Sequence, residues 1–130
     1  MATTVKQMVD RAMSKVETIT VEEAKALVGR DDVTIVDIRD VRELWREGKI
    51  PGAYNAPRGM LEFWIDPESP YAKDVFQSGK RIVFYCAAGW RSALATEAAM
   101  ELGLKNTCHI GGGFGDWKKA EYEIEAVAKK

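Results

Sequence analysis

Two short runs of β-branched and aromatic residues, at 33–38 and 81–85, constrain the fold of this chain more than any other feature. Neither run alternates between apolar and polar residues, which is typical of strands that are buried on both faces. Such strands need a covering layer on each side of the sheet, and segments of helical character lie between and after them. The alternation predicts an α/β fold, a parallel sheet with helices on both faces.

Helical periodicity, capping residues and turn residues predict the other elements. Thr20 and Glu23 form a capping box that begins a helix, and Gly29 ends it. Further helices are predicted at residues 5–16, 41–46, 58–65 and 91–102 and from 114 onward, with a last short strand at 106–110. We therefore expect a helical arm at residues 1–17 and one α/β domain at residues 18–130.

Composition and charge exclude several classes of protein. The 130 residues are 46% hydrophobic and 30% charged, with 19 basic and 20 acidic side chains, as in an ordinary soluble globular domain. No apolar run approaches the roughly twenty residues of a membrane span. The first ten residues lack the basic and apolar regions of a secretory signal. We expect a cytoplasmic protein that binds neither nucleic acid nor membrane.

The few cysteines and the single histidine narrow the chemistry. Cys86 and Cys108 are too few for a disulfide scaffold, and together with His109 they lack the spacing of a metal site. The sequence therefore predicts a protein without a metal site, in which a single cysteine thiol does the chemistry. Cys108 fits a buried structural thiol, and no motif assigns a role to His109.

The segment after the second strand has the composition of an anion-binding loop. It runs Cys86-Ala87-Ala88-Gly89-Trp90-Arg91-Ser92. Small residues let such a loop curl until its N–H groups point inward, and the next helix adds the positive end of its dipole. No acidic residue lies between Asp74 and Glu97, and a positive environment favours the thiolate of Cys86. The alternative is a small, inert core cysteine, but the loop favours a nucleophile.

Other candidate residues lie near the ends of the predicted strands. Arg39 and Glu43 are four residues apart, which predicts an ion pair between strand and helix. Arg58 either guides an anion toward the pocket or lies on the surface. Trp90 either contacts a substrate at the rim of the pocket or packs against other side chains of the protein. Gly112 and Gly113 are expected to allow a close backbone approach to the Cys86 loop.

Three motifs in this sequence resemble the rhodanese family. The Cys86 loop is similar to the family's active-site loop. Upstream, the family's "D-V-R…E…G-H-I-P-G-A" stretch is matched by Asp37-Ile38-Arg39, Glu43 and Gly48-Lys49-Ile50-Pro51-Gly52-Ala53. Downstream, its "G-G-x-x-x-W" signature is matched by Gly112-Gly113-Phe114-Gly115-Asp116-Trp117. Lys49 departs from the usual histidine, at a position that is not catalytic in the family.

The resemblance implies a rhodanese-like fold of about five parallel strands and a thiosulfate sulfurtransferase. In such an enzyme Cys86 takes the sulfane sulfur of thiosulfate or a similar anionic donor, becomes a persulfide, and passes the sulfur to cyanide, a thiol or a protein acceptor. The amides of the loop, Ala87, Ala88, Gly89, Trp90, Arg91 and Ser92, would hold the donor, with Arg58 as a further binding candidate. No metal or organic cofactor is implied.

Two other functions stay open. One is a sulfur carrier or regulatory binding module with little turnover. The other is a phosphatase or arsenate reductase, whose loops have the longer pattern C-x5-R. Here four residues separate Cys86 from Arg91, so the cradle suits a sulfur atom better than a tetrahedral phosphate or arsenate.

Overall fold

The computed structural model describes residues 2–129, so Met1 and Lys130, the outer ends of the two predicted segments, lie outside it. Five parallel strands form one sheet in the order β1-β5-β4-β2-β3. The strands are β1 (Glu17–Ile19), β2 (Val33–Asp37), β3 (Tyr54–Asn55), β4 (Arg81–Tyr85) and β5 (Thr107–Ile110). The helices are α1 (Val5–Met13), α2 (Val21–Lys25), α3 (Val41–Glu47), α4 (Leu61–Ile65), α5 (Trp90–Glu101) and α6 (Gly113–Lys119), with 3-10 turns at Arg58–Met60 and Asp74–Phe76. The predicted α/β fold is confirmed.

The central strands bury side chains on both faces of the sheet, as their uniform apolar sequence predicts. One face packs against α2 and α6 through Ile35, Val83, Tyr85, Cys108, Ile110, Ala24, Phe114 and Trp117. The other face packs against α4 and α5 through Val36, Ile82, Phe84, Leu61, Ile65, Ala95 and Ala99. The loop that begins at Cys86 therefore starts from a strand that is fixed on both sides.

The N-terminal arm packs on the same domain. Val9 and Ala12 of α1 are buried against Ala93 of α5, and Leu94 packs beside them. The helix ends at Met13, earlier than predicted, and the chain then enters β1, which pairs with β5 at the edge of the sheet. No helix within residues 2–129 is long and apolar enough to cross a membrane.

The prediction of a mostly helical C-terminal segment is wrong. Helix α6 ends at Lys119, and Glu121 adopts a positive φ of 60° that interrupts the helix. Tyr122 then packs edge-on against Trp117 at 5.0 Å between ring centroids, and the Trp117 indole donates to the Glu123 carbonyl at 2.7 Å. Beyond this contact, an isolated antiparallel bridge joins Glu125 to Lys49. Trp117 itself is buried.

Candidate active site

The candidate site lies at the carboxyl edge of the sheet, where ligands bind in open parallel α/β folds. Cys86 follows β4 directly, and its loop is fixed to the segment that follows β5. The Phe114 N–H donates to the Cys86 carbonyl at 2.8 Å, and the Gly115 N–H donates to the Ala87 carbonyl at 3.0 Å. Two neighbouring strands therefore position one loop.

Glycines make this backbone contact possible. A Cβ on Gly113 would lie 2.5 Å from the Cys86 carbonyl oxygen, which confirms the predicted close approach at that position. Gly112 differs from the prediction, since a Cβ there would meet the Asp116 side chain within its own helical turn. Gly89 also contacts this segment, because a Cβ on it would overlap the Gly111 carbonyl oxygen.

The Cys86 sulfur is buried and faces hydrogen-bond donors. Its side chain is 1% exposed. The Gly89 N–H donates to Sγ at 3.1 Å, and the Ser92 N–H donates at 3.4 Å. The Ser92 hydroxyl lies 3.5 Å from the same sulfur. Donors at these positions stabilise a thiolate more than a neutral thiol.

The other amides of the loop are free to bind an anion. Within the described chain, the N–H groups of Ala87, Ala88, Trp90 and Arg91 donate to no protein acceptor. Ala88 and Trp90 are exposed, so the loop opens to solvent above the buried sulfur. These amides and the start of α5 form a cradle at the positive end of a twelve-residue helix.

Arg91 is fixed by Glu43 of α3. Its guanidinium donates to both carboxylate oxygens, at 2.9 and 3.1 Å. Hydrogen bonding from Arg91 is the largest cause that lowers the pKa of Glu43. The pair ties the first turn of α5 to α3 and so supports the geometry of the loop.

The predicted ion pair between Arg39 and Glu43 is wrong. Arg39 precedes α3, which begins at Val41, so helical i,i+4 spacing does not bring the two side chains together. Arg39 is fully buried and instead donates to Asp37 at 2.7 Å and to the Gly48 carbonyl at 2.8 Å. Its role is to hold the end of β2 against the turn after α3.

The structure brings the predicted residues of the Cys86 loop together, but Arg58, predicted either to guide an anion or to lie on the surface, pairs with a neighbouring side chain. Arg58 donates to Glu62 at 2.6 Å, four residues along the chain. Trp90 lies in the first turn of α5 and is 51% exposed.

Two cavities of about 350 and 450 Å³ lie away from Cys86, at the opposite edge of the sheet near Leu27 and Lys80.

Sequence reasoning missed His109. It is fully buried, its Nδ1 lies 2.8 Å from the Ser92 hydroxyl, and its Nε2 lies 3.0 Å from the Thr18 hydroxyl. Burial lowers the pKa of His109 to about 4, so the ring is neutral near pH 7. The alternation of side chains along β5 is the signal that could have identified His109. Because Cys108 lies on one face of the sheet, His109 lies on the other face, which α5 covers, and α5 begins beside Cys86.

Cys108 is a buried thiol without access to Cys86. It pairs in register with Val83, three residues before Cys86, which places the two cysteines about 10 Å apart along the strands. A disulfide needs Cα atoms within about 7 Å. Burial raises the pKa of the Cys108 thiol, with Arg81 opposing the shift.

Comparison with known proteins identifies the family to which this chain is similar. The family profile of the rhodanese-like domain matches residues 20–120. A mouse thiosulfate sulfurtransferase/rhodanese-like domain-containing protein 3 is 32% identical over 111 residues, covering 82% of this chain and 69% of its own. The thiosulfate:glutathione sulfurtransferase of Saccharomyces cerevisiae is 32% identical over 112 residues, covering 81% and 80%.

A solved structure is more similar still. A Rhodopseudomonas palustris protein, described as of unknown function and a possible tyrosine phosphatase, is 56% identical with a TM-score of 0.92, covering 96% of each chain. The family profile spans most of the described chain, including β2, the Cys86 loop and α6. This protein belongs to the rhodanese-like domain family.

Proposed function

We propose that this protein is a sulfurtransferase that moves a sulfane sulfur from thiosulfate or a similar anionic donor to a thiophilic acceptor, through a persulfide on Cys86. The observation that carries the proposal is the buried Cys86 sulfur, which receives two backbone N–H groups in a loop whose other amides donate to no protein acceptor within the described chain. A nucleophile that must also act as a leaving group needs a stabilised thiolate, and these donors supply that stabilisation.

The first half-reaction forms the persulfide. The Cys86 thiolate attacks the outer sulfur of thiosulfate, a new S–S bond forms, and the bond to sulfite breaks with its electron pair leaving on sulfite. The free amides of Ala87, Ala88, Trp90 and Arg91, at the start of α5, are the donors available to the anionic substrate. Because these dipoles are already oriented, they stabilise negative charge without reorganisation during the reaction.

The second half-reaction regenerates the enzyme. Cyanide or a thiolate attacks the outer sulfur of the persulfide, and Cys86 leaves as the thiolate that began the cycle. No oxidant, reductant or cofactor enters this balance, since one sulfur atom moves between two nucleophiles. A protein thiol is a further acceptor for the same step. The exposed Ala88 and Trp90 at the rim support access for an acceptor from solvent.

A phosphatase or arsenate reductase is the second candidate, because the Rhodopseudomonas palustris relative is described as a possible tyrosine phosphatase. The loop argues against it. Four residues lie between Cys86 and Arg91, one fewer than in the C-x5-R pattern, and the Arg91 guanidinium is held by Glu43 through one N–H on each terminal nitrogen.

Turnover of small substrates tests the proposal. The purified protein should form thiocyanate from thiosulfate and cyanide, and Cys86→Ala should abolish this, whereas Cys108→Ala, the matched control, should retain it. Full turnover by Cys86→Ala would overturn the assignment. Hydrolysis of p-nitrophenyl phosphate without thiocyanate formation would favour the phosphatase. A sulfur adduct without thiocyanate release would favour the carrier.

A further inference from the structure

A continuous row of hydrogen-bonding groups joins the Cys86 sulfur to the protein surface. The Ser92 hydroxyl lies 3.5 Å from Cys86 Sγ and 2.8 Å from His109 Nδ1. On the other side of the ring, Nε2 lies 3.0 Å from the Thr18 hydroxyl. Cys86, Ser92 and His109 are buried, while Thr18 on β1 is exposed. The row therefore crosses from the core to solvent.

The donors and acceptors of this row can be arranged in two complete ways. Each hydroxyl carries one proton, and a neutral imidazole carries one N–H. When Cys86 is a thiol, S–H donates to Ser92, Ser92 donates to Nδ1, and Nε2–H donates to Thr18. When Cys86 is a thiolate, every bond reverses: Thr18 donates to Nε2, Nδ1–H donates to Ser92, and Ser92 donates to sulfur.

We propose that Ser92, His109 and Thr18 form a relay that carries the Cys86 proton to the surface, with the His109 tautomer changing as Cys86 ionises. The proposal rests on Cys86 as the nucleophile of the sulfur transfer proposed above. The thiol proton moves to Ser92, the Ser92 proton to Nδ1, the Nε2 proton to Thr18, and the Thr18 proton to water. One proton is released, and the ring is neutral before and after.

The thiolate arrangement adds a third donor to the sulfur. The Gly89 and Ser92 N–H groups face Sγ in either arrangement, and the Ser92 hydroxyl joins them only when His109 donates to it. The Gly89 carbonyl, 3.3 Å from the Ser92 hydroxyl, is the competing acceptor. His109 is thus a positioning residue that turns the Ser92 proton toward the sulfur.

The surroundings of the ring favour a neutral relay over a stored charge. Burial lowers the pKa of His109 to about 4, so an imidazolium is disfavoured near pH 7. Most charged side chains on the elements packed around the relay are paired: Glu17 of β1 with Arg81 of β4, Glu97 of α5 with Lys15, Arg91 of α5 with Glu43, and Asp10 of α1 with Lys6. Glu101, at the end of α5, is exposed. Arg11 of α1 is exposed.

Local packing also fixes the outer end of the relay. A Cβ on Gly111 would lie 2.7 Å from the Thr18 methyl group, so glycine at this position leaves room for the Thr18 side chain beside the ring. The Thr18 hydroxyl is also 3.9 Å from Met13 Sδ, a weak acceptor that competes little with Nε2.

The ring nitrogens of His109 report the relay directly, because His109 is the single histidine of the sequence. Long-range 1H–15N NMR distinguishes the two neutral tautomers. Titrating the reduced protein, we expect Nε2–H at low pH and Nδ1–H at high pH, with the change at the same midpoint as Cys86 alkylation by iodoacetamide. Cys86→Ala should show one tautomer throughout, and Cys108→Ala should behave as wild type.

Removing Ser92 tests the link between sulfur and ring. Ser92→Ala should uncouple the tautomer from Cys86 and move the midpoint of the alkylation profile up by about one to two pH units. One tautomer at every pH in the wild type, or a tautomer change that persists in Cys86→Ala, would overturn the relay. Neither measurement uses a sulfur donor. A protein that is inactive with thiosulfate would therefore contradict the proposed function, whereas the tautomer and alkylation measurements would still test the relay.

Discussion

Gly89 and Gly103 form a matched pair that measures the importance of close packing beside Cys86. Their φ angles are 101° and 102°, so alanine at either position meets a similar backbone strain, about 1–2 kcal/mol. Their surroundings differ. Nothing lies within 4 Å of a Cβ on Gly103, whereas a Cβ on Gly89 would overlap the Gly111 carbonyl oxygen and lie 3.1 Å from its carbonyl carbon.

Gly103→Ala should therefore lower the free energy of unfolding by about 1–2 kcal/mol and leave sulfur transfer unchanged. Gly89→Ala should lose a further 1–3 kcal/mol, roughly the cost of overpacking. It should also move the Gly89 N–H away from Cys86 Sγ, and a hydrogen bond to a charged group contributes about 1.5–3 kcal/mol. Each 1.4 kcal/mol in the barrier is about tenfold in rate, so turnover should fall about 10- to 100-fold.

Urea unfolding and thiocyanate formation measure the two effects separately. The difference between the two variants isolates the contact with Gly111, because the backbone strain is common to both. Equal stability and equal turnover in Gly89→Ala and Gly103→Ala would refute the reasoning.

Three further predictions concern the surroundings of the site. Glu43→Gln should lower stability by about 0.5–1 kcal/mol, since its pair with Arg91 is partly exposed. Arg91 lowers the pKa of Glu43 from its ordinary 4.5, so the stabilisation from this ion pair is complete above pH 4.5 and is lost as the pH falls further. The free energies of unfolding of wild type and variant, measured in urea, should therefore converge in acid. A difference that stays constant with pH would contradict this. Peptide mapping of oxidised protein should find no disulfide between Cys86 and Cys108, and finding one would show that the two approach more closely than the register allows. Trp117→Phe should lower the free energy of unfolding in urea by about 1–3 kcal/mol through lost packing and the lost bond to Glu123, and an unchanged value would exclude Trp117 as an anchor.

The central strands and the Cys86 loop could be predicted because their patterns are local. Strands buried on both faces need continuous apolar runs, and a small-residue loop before a helix suits an anion whatever surrounds it. The edge strands β1 and β3 have three and two residues, too few for a periodic pattern, and they form because β5 and β2 offer them partners.

Long-range contacts explain what the sequence could not supply. Arg39 is held by Asp37 and the Gly48 carbonyl, and the second of these partners depends on the turn after α3. The C-terminal segment is not helical because its backbone bonds to distant groups instead, at Glu123 to the Trp117 indole and at Glu125 to Lys49. His109 carries no motif, and only the packing of β5 against α5 and β1 brings it between Ser92 and Thr18.

The central claim is that sulfur rests on Cys86 between the two half-reactions. Intact-mass measurement after thiosulfate treatment should show a gain of one sulfur atom, about 32 Da. The gain should map to the peptide that contains Cys86, disappear on addition of cyanide, persist in Cys108→Ala and be absent in Cys86→Ser. Thiocyanate formation by a protein that never carries this sulfur on Cys86 would contradict the account.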